Sequence, residues 1–213
     1  MAQVNDKPVF GGCTGPFSLA GRLFGLSELM IGLYMSPEML VELLEKCTAL
    51  LTEYCAETKR IGLNGVIMAE PAAGLISNAD CMTYSSVYVK QIVDRLQDDD
   101  FMIVLHNCGN AGHCTDAMVK SGAAALHFGN KADMVDVLKA VPEDILVMGN
   151  VDPVNTFKYC SEEQVYDTVM ALLKDTAEWN NFILSTGSDV PPHVSWEIIE
   201  AFYRAVSDFN LSR

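Results

Sequence analysis

Positive charge is what this sequence has least of. Fourteen Lys and Arg face 28 Asp and Glu in 213 residues, a formal net charge of −14. The arginines are Arg22, Arg60, Arg95, Arg204 and Arg213, and no basic stripe forms. That pattern makes nucleic acid and anionic membrane poor partners, and neither is expected. No apolar run approaches the ~20 residues that cross a bilayer. The start, Met1 to Pro8, lacks the apolar segment of a signal peptide. A dinucleotide turn of the form Gly-x-Gly-x-x-Gly is missing, as is a phosphate loop of the form Gly-x-x-x-x-Gly-Lys. Their absence lowers the case for a nucleotide-binding doubly wound sheet. Disulfides are not expected either. Seven cysteines, an odd number, fall mostly in apolar periodic stretches, which predicts a reduced cytoplasmic protein.

What is present is an ordinary globular composition. Half the residues are apolar and a fifth charged, enough to bury one core, so residues 1–213 are read as a single domain. Short apolar runs alternate with stretches of helical period. Pro8 to Gly15 reads as a strand and a glycine-rich turn, and Phe17 to Gly25 as a short helix. Ser36-Pro37-Glu38 reads as a capped helix start, followed by Leu40, Leu44, Cys47, Leu51 and Cys55 at helical spacing. Gly65 to Ala69 is the next strand, and residues 72–80 a loop. Thr83 to Leu96 is a helix, Phe101 to His106 a strand, and Thr115 to Lys120 a helix. Strands are also expected over 123–129, 144–149 and 181–184. Between and after them fall a helix over 133–140, a helix opened by the capping box Ser161-Glu-Glu-Gln164, and a final helix capped by Ser195.

The strand–helix alternation repeats about six times. It predicts an α/β fold with a parallel sheet. The unusual residues gather at the C-terminal ends of the strands: Glu70, His106 with Cys108, His127, Asn150 with Asp152, and Ser188 with Asp189. A (β/α) TIM-barrel-like sheet places its site there, and an open doubly wound sheet places ligands there too. In a strand, residues i and i+2 share a face. His106 and Cys108 therefore aim an imidazole and a thiol at one point, as two ligands of zinc would; a buried His beside a core Cys is the other reading. Glu70 is a candidate to touch a metal or orient His106, or else a loop or helix N-terminal carboxylate. Asp152 is a catalytic candidate, or a turn or helix cap before Pro153. Asn150 and His127 are candidates for substrate contact, with a tucked core histidine as the alternative for His127. His113 and Cys114, at the next helix start, are expected to face away.

Four stretches together carry a resemblance: Gly15 to Ala20 (GPFSLA), Leu105 to Asn110 (LHNCGN), Gly149 to Pro153 (GNVDP) and Ser185 to Pro192 (STGSDVPP). The chain resembles the uroporphyrinogen decarboxylase superfamily, and within it the zinc-dependent corrinoid methyltransferases. The resemblance implies a TIM barrel in which His, Cys and a later Cys hold zinc. It also implies a small thiol such as coenzyme M as acceptor, and a methylated corrinoid (cobalamin) on a partner protein as donor. Carried onto this chain, the ligands are His106, Cys108 and Ser188, where Ser188 stands in the place of the later Cys. A neutral hydroxyl is a poor zinc ligand, so zinc binding is expected to be weak. An eight-stranded barrel needs roughly two more strand–helix units than the sequence supplies. The barrel is therefore expected to be incomplete, to begin at the family's third strand, and to self-associate. Two alternatives to the methyltransferase are a decarboxylase of multi-carboxylate substrates, disfavoured by the scarcity of arginine at strand ends, and a non-catalytic corrinoid-binding relative that has lost a ligand.

Overall fold

The computed structural model describes residue 4 and residues 6–212. Residues 1–3 and 5, which belong to the polar start read above, and Arg213 lie outside the described residues. Six parallel strands form one sheet: β1 (Phe10–Thr14), β2 (Gly65–Ala69), β3 (Met102–Asn107), β4 (Ala125–Phe128), β5 (Leu146–Val151) and β6 (Phe182–Thr186). Their spatial order is their chain order. That order decides between the two architectures left open by the sequence. A doubly wound sheet reverses direction at a switch point, and none occurs among the described residues. Right-handed crossovers that always step the same way put every helix on one face, so the sheet is an arc of a (β/α) barrel.

The helices are α1 (Pro16–Phe24), α2 (Leu26–Met35), α3 (Pro37–Arg60), α4 (Asn78–Cys81), α5 (Val87–Leu96), α6 (Thr115–Lys120), α7 (Met134–Ala140), α8 (Asn155–Tyr159), α9 (Glu162–Asp175) and α10 (Trp196–Leu211). Val66, Met68, Ile103, Leu105, Leu126, Phe128 and Val147 point outward from the sheet. They pack under Leu51 and Cys55 of α3, Ile92 and Val93 of α5, and Val137 and Leu138 of α7. Fully burying side chains of this size stabilises by about 1.5–3 kcal/mol each. A second core joins α1, α2 and the first half of α3 above the C-terminal ends of β1 and β2, through Phe17, Leu29, Leu33, Leu40 and Leu44. A third holds α9 and α10 over β5.

Some boundaries differ from expectation. Residues 72–80 are not a loop: Pro71–Leu75 is a 3-10 turn, and α4 follows, capped by the Ser77 hydroxyl on Asp80 N at 3.1 Å. Ser36 precedes a helix as expected, but its side chain caps nothing. Its φ of −151° and ψ of 57° lie off the extended ψ that the neighbouring caps Ser161 and Ser77 adopt. Ser195 has no backbone capping bond either. The Ser161 capping box is complete in both halves.

Candidate active site

The inner face of the arc is read from the register. Gly12, Ile67, Val104, Ala125 and Leu146 are paired across successive strands, and two residues further along come Thr14, Ala69, His106, His127, Met148 and Ile183. His106 and His127 are therefore direct neighbours on β3 and β4. They line one wall of a cavity of about 790 Å³ that runs from Phe10 and Gly12 on β1 to Ser188, Asp189 and Val190 after β6. Cys108 and Arg22 line the same cavity.

Local chemistry puts Cys108 there. The strand ends at Asn107, whose Oδ1 accepts from Gly109 N and Asn110 N, both at 3.1 Å. This side-chain turn bends the backbone so that Cys108 stands at its crest, half-buried. Gly129, after β4, lets the two loops touch: a Cβ there would come 2.8 Å from Cys108 Cα.

The histidines form a bonded pair. His106 Nδ1 and His127 Nδ1 are 2.7 Å apart, and His127 Nε2 lies 2.6 Å from Ser185 Oγ. Burial pushes both rings below the ordinary imidazole value. For His127 the neighbouring His106 adds to the effect, and the value falls to about 4. The carbonyl of His127 and the Asp189 carboxylate act in the opposite sense on His106. Both rings are neutral at pH 7, the form that ligates metals.

Glu70, Asp152 and Asn150 do not line this cavity. The Glu70 carboxylate is 1% exposed and stands at the N-terminus of α1. It accepts from Phe17 N at 2.9 Å, Ser18 N at 2.8 Å and Ser18 Oγ at 2.7 Å. Burial raises it to about 7, against the pull of those donors. Gly15 makes room for it, since a Cβ there would overlap the carboxylate. Asp152 accepts from Val154 N and Asn155 N, at 2.8 and 2.7 Å, and from Asn130 Nδ2 at 2.7 Å. It is held below its ordinary value because these bonds outweigh its partial burial. Asn150 donates to the carbonyls of Gly129 and Ala132. His113 bonds the Ile76 carbonyl and Cys114 is fully buried; neither lines the cavity.

Sequence reading passed over Arg22 and Ser185. Arg22 reaches the rim from α1 rather than from a strand end. Ser185 matters only through register, which a single sequence does not display. As a zinc site the cavity offers an imidazole and a thiol, His106 and Cys108, which fit two positions of a soft divalent cation. Among the described residues no trio of His, Cys, Asp or Glu stands ready to hold an ion, and Ser188 adds a neutral hydroxyl.

Comparison with known proteins places this architecture. The pattern of the uroporphyrinogen decarboxylase (URO-D) family matches residues 2–209. The chain belongs to the uroporphyrinogen decarboxylase family. It is 25% identical to a uroporphyrinogen decarboxylase of Erwinia tasmaniensis, over 97% of this chain and 61% of that protein. It is 30% identical to the methylcobamide:CoM methyltransferase MtbA of Methanosarcina acetivorans, over 70% of this chain and 44% of that protein. The chain thus spans at most about three-fifths of these relatives' length. In three dimensions it superposes on a methyltransferase from Methanosarcina mazei with a TM-score of 0.87 at 20% identity, covering 97% of this chain and 60% of that one. A B12-independent methionine synthase from Shewanella sp. W3-18-1 gives 0.71 at 16% identity, covering 100% and 66%. Both share the fold.

Proposed function

We propose that this URO-D family member moves a methyl group from a methylated corrinoid, carried by a partner protein, to a small thiol such as coenzyme M. The observation behind this reading is that His106 and Cys108 line one cavity at the C-terminal edge of the sheet. They are the residues that would hold zinc, weakly, because Ser188 supplies no thiolate. Zinc, when bound, deprotonates a coordinating thiol and so makes the nucleophilic thiolate at neutral pH. The chain's own groups prepare the site. Neutral His106 keeps a lone pair to offer. Ile67, Ala69 and Val190 give the cavity an apolar wall that displaces water from the acceptor sulfur. Arg22 on the rim suits an anionic group at the far end of the thiol. The decarboxylase reading calls for several cations around a multi-carboxylate substrate, and among the described residues only Arg22 supplies one to this cavity. We also propose a cytoplasmic setting, in keeping with the seven free thiols, and self-association of the open arc.

The test is loss of the methyl–cobalt absorbance of methylcobalamin with coenzyme M or homocysteine. Turnover is expected to require zinc, to vanish in His106→Ala and Cys108→Ala, and to change little as pH rises toward the free-thiol pKa of about 8.5. Ser188→Cys is expected to tighten zinc binding. Cobalamin binding without turnover would support a non-catalytic binding protein instead. Absence of both cobalamin binding and turnover in zinc-loaded protein would sink the proposal.

A further inference from the structure

One proton lies between His106 and His127, and the bonds beyond it fix which ring carries it. Two ring nitrogens 2.7 Å apart require one donor and one acceptor. Ser185 Oγ is 2.9 Å from the Thr186 carbonyl oxygen and 2.6 Å from His127 Nε2. A carbonyl oxygen only accepts, and a hydroxyl has a single proton. Ser185 Oγ donates to Thr186 O, and the Thr186 carbonyl, an acceptor, also acts on the His127 ring; both place the proton on His127 Nε2, from which Ser185 Oγ accepts. His127 Nδ1 is then a bare lone pair, and His106 Nδ1–H donates to it. The remaining nitrogen of His106, Nε2, is left unprotonated. That is the state in which an imidazole binds a metal or accepts a proton.

We propose that Ser185 and His127 are positioning residues that lock His106 in its Nδ1–H tautomer and leave Nε2 as its ligating atom. The rings meet edge to face, with centroids 4.6 Å apart and planes at 68°, so the bond also fixes the tilt of His106. Both nitrogens of His127 are engaged, one by His106 and one by Ser185, which assigns this ring neither metal nor substrate. A ligating His whose second nitrogen is held by a partner is the usual arrangement at metal sites; here an imidazole takes the place commonly held by a carboxylate or a carbonyl. The purpose of the free Nε2 rests on the zinc reading above, but the tautomer does not.

The experiment is therefore done first on metal-free protein. Proton–nitrogen correlation spectra of ¹⁵N-histidine-labelled protein near pH 7 distinguish the tautomers. His106 is expected to show a protonated Nδ1 and a bare Nε2, and His127 the reverse. His127→Phe, which removes the acceptor, is expected to release His106 into a mixture of tautomers. His127→Asn keeps an acceptor near the old Nδ1 position and is expected to restore Nδ1–H on His106. Zinc affinity by chelator competition is expected to fall roughly 10–100-fold in His127→Phe and to recover in His127→Asn. Wild-type His106 protonated on Nε2 would overturn the proposal, because the relay would then run the other way. Spin coupling of both His106 and His127 to bound ¹¹³Cd would overturn it too, because the rings would share the ion. If the wild-type tautomers are as stated and methyl transfer is absent, the relay stands and the proposed reaction falls.

Discussion

Glu70 shows how burial and hydrogen bonding contend on one side chain. Three donors converge on its carboxylate from the N-terminus of α1 and the Ser85 hydroxyl adds a fourth, each favouring the ionised form. Complete burial favours the neutral form and wins, raising the group from the ordinary 4.5 to about 7. The linkage has a definite sign. As pH rises through 4.5 the unfolded chain loses this proton first, while the folded chain keeps it until about 7. Stability from this group is full below 4.5 and declines as pH rises toward 7, by about 3 kcal/mol in all. Denaturant unfolding at several pH values between 4.5 and 7.5 is expected to show this slope in wild type and not in Glu70→Gln. The Gln variant is also expected to be less stable at low pH by about 1–3 kcal/mol, since its amide NH₂ faces donors and leaves a buried polar group unpaired. Equal slopes in the two proteins would refute the account. The same residue marks a limit of sequence reading. His106 and Cys108 drew notice through a local signal, i, i+2 spacing at the end of an apolar run; in the structure the strand stops at Asn107, and the Asn107 turn brings Cys108 to the cavity that His106 lines. Glu70 occupies a similar strand end, yet its carboxylate turns to a helix 52 residues earlier in the chain, and no local pattern announces that.

At the scale of the element, three serines that look alike in sequence behave differently. Ser161, Ser36 and Ser195 each precede a helix. Only Ser161 closes the reciprocal box, accepting from Gln164 N at 3.3 Å while Gln164 Oε1 accepts from Ser161 N at 2.9 Å. A capping side chain needs its backbone extended so that the oxygen reaches the third residue on. Ser161 has φ −76° and ψ 165°. Ser36 links α2 directly to α3 and is bent away from that region. Ser161→Ala is expected to cost about 1 kcal/mol, and Ser36→Ala much less, read as the difference in unfolding midpoint at unchanged denaturant slope. Comparable losses would mean that Ser36 caps in solution. The six strands were legible as short apolar runs, and most of the helices from hydrophobic period, because each packs one face. α2 was not. Its sequence, LSELMIGLYM, is apolar nearly all round, and Gly25 at φ 103° breaks it from α1. The 3-10 turn and α4 were masked by the Ala and Gly of residues 72–75.

For the whole molecule, a parallel α/β sheet was legible from alternation and the barrel only through the family resemblance, while the shape of the cavity was not legible at all. That depends on how the inner face is closed. In a complete barrel the interior is filled by layers of side chains from all strands. Here Ile67 and Ile183, both on the inner face, are 42% and 40% exposed, and β1 and β6 each have one strand neighbour among the described residues. Two free edges and an uncovered apolar wall invite pairing with another chain. Net charge of −14 repels like copies and works against pairing, so the apolar contact has to outweigh it and association is expected to strengthen with salt. Sedimentation equilibrium of this chain is accordingly expected to give a mass above the 23.3 kDa of one copy. Lysine at both Ile67 and Ile183 buries badly against an apolar partner and is expected to return the mass to one copy while leaving the helical circular dichroism intact. A wild-type mass of 23.3 kDa across the micromolar range would mean that the open arc is stable uncovered. A double lysine variant that still associates would put the contact elsewhere, with the exposed α1–α2 surface around Ile31, Tyr34 and Met35 the next face to substitute.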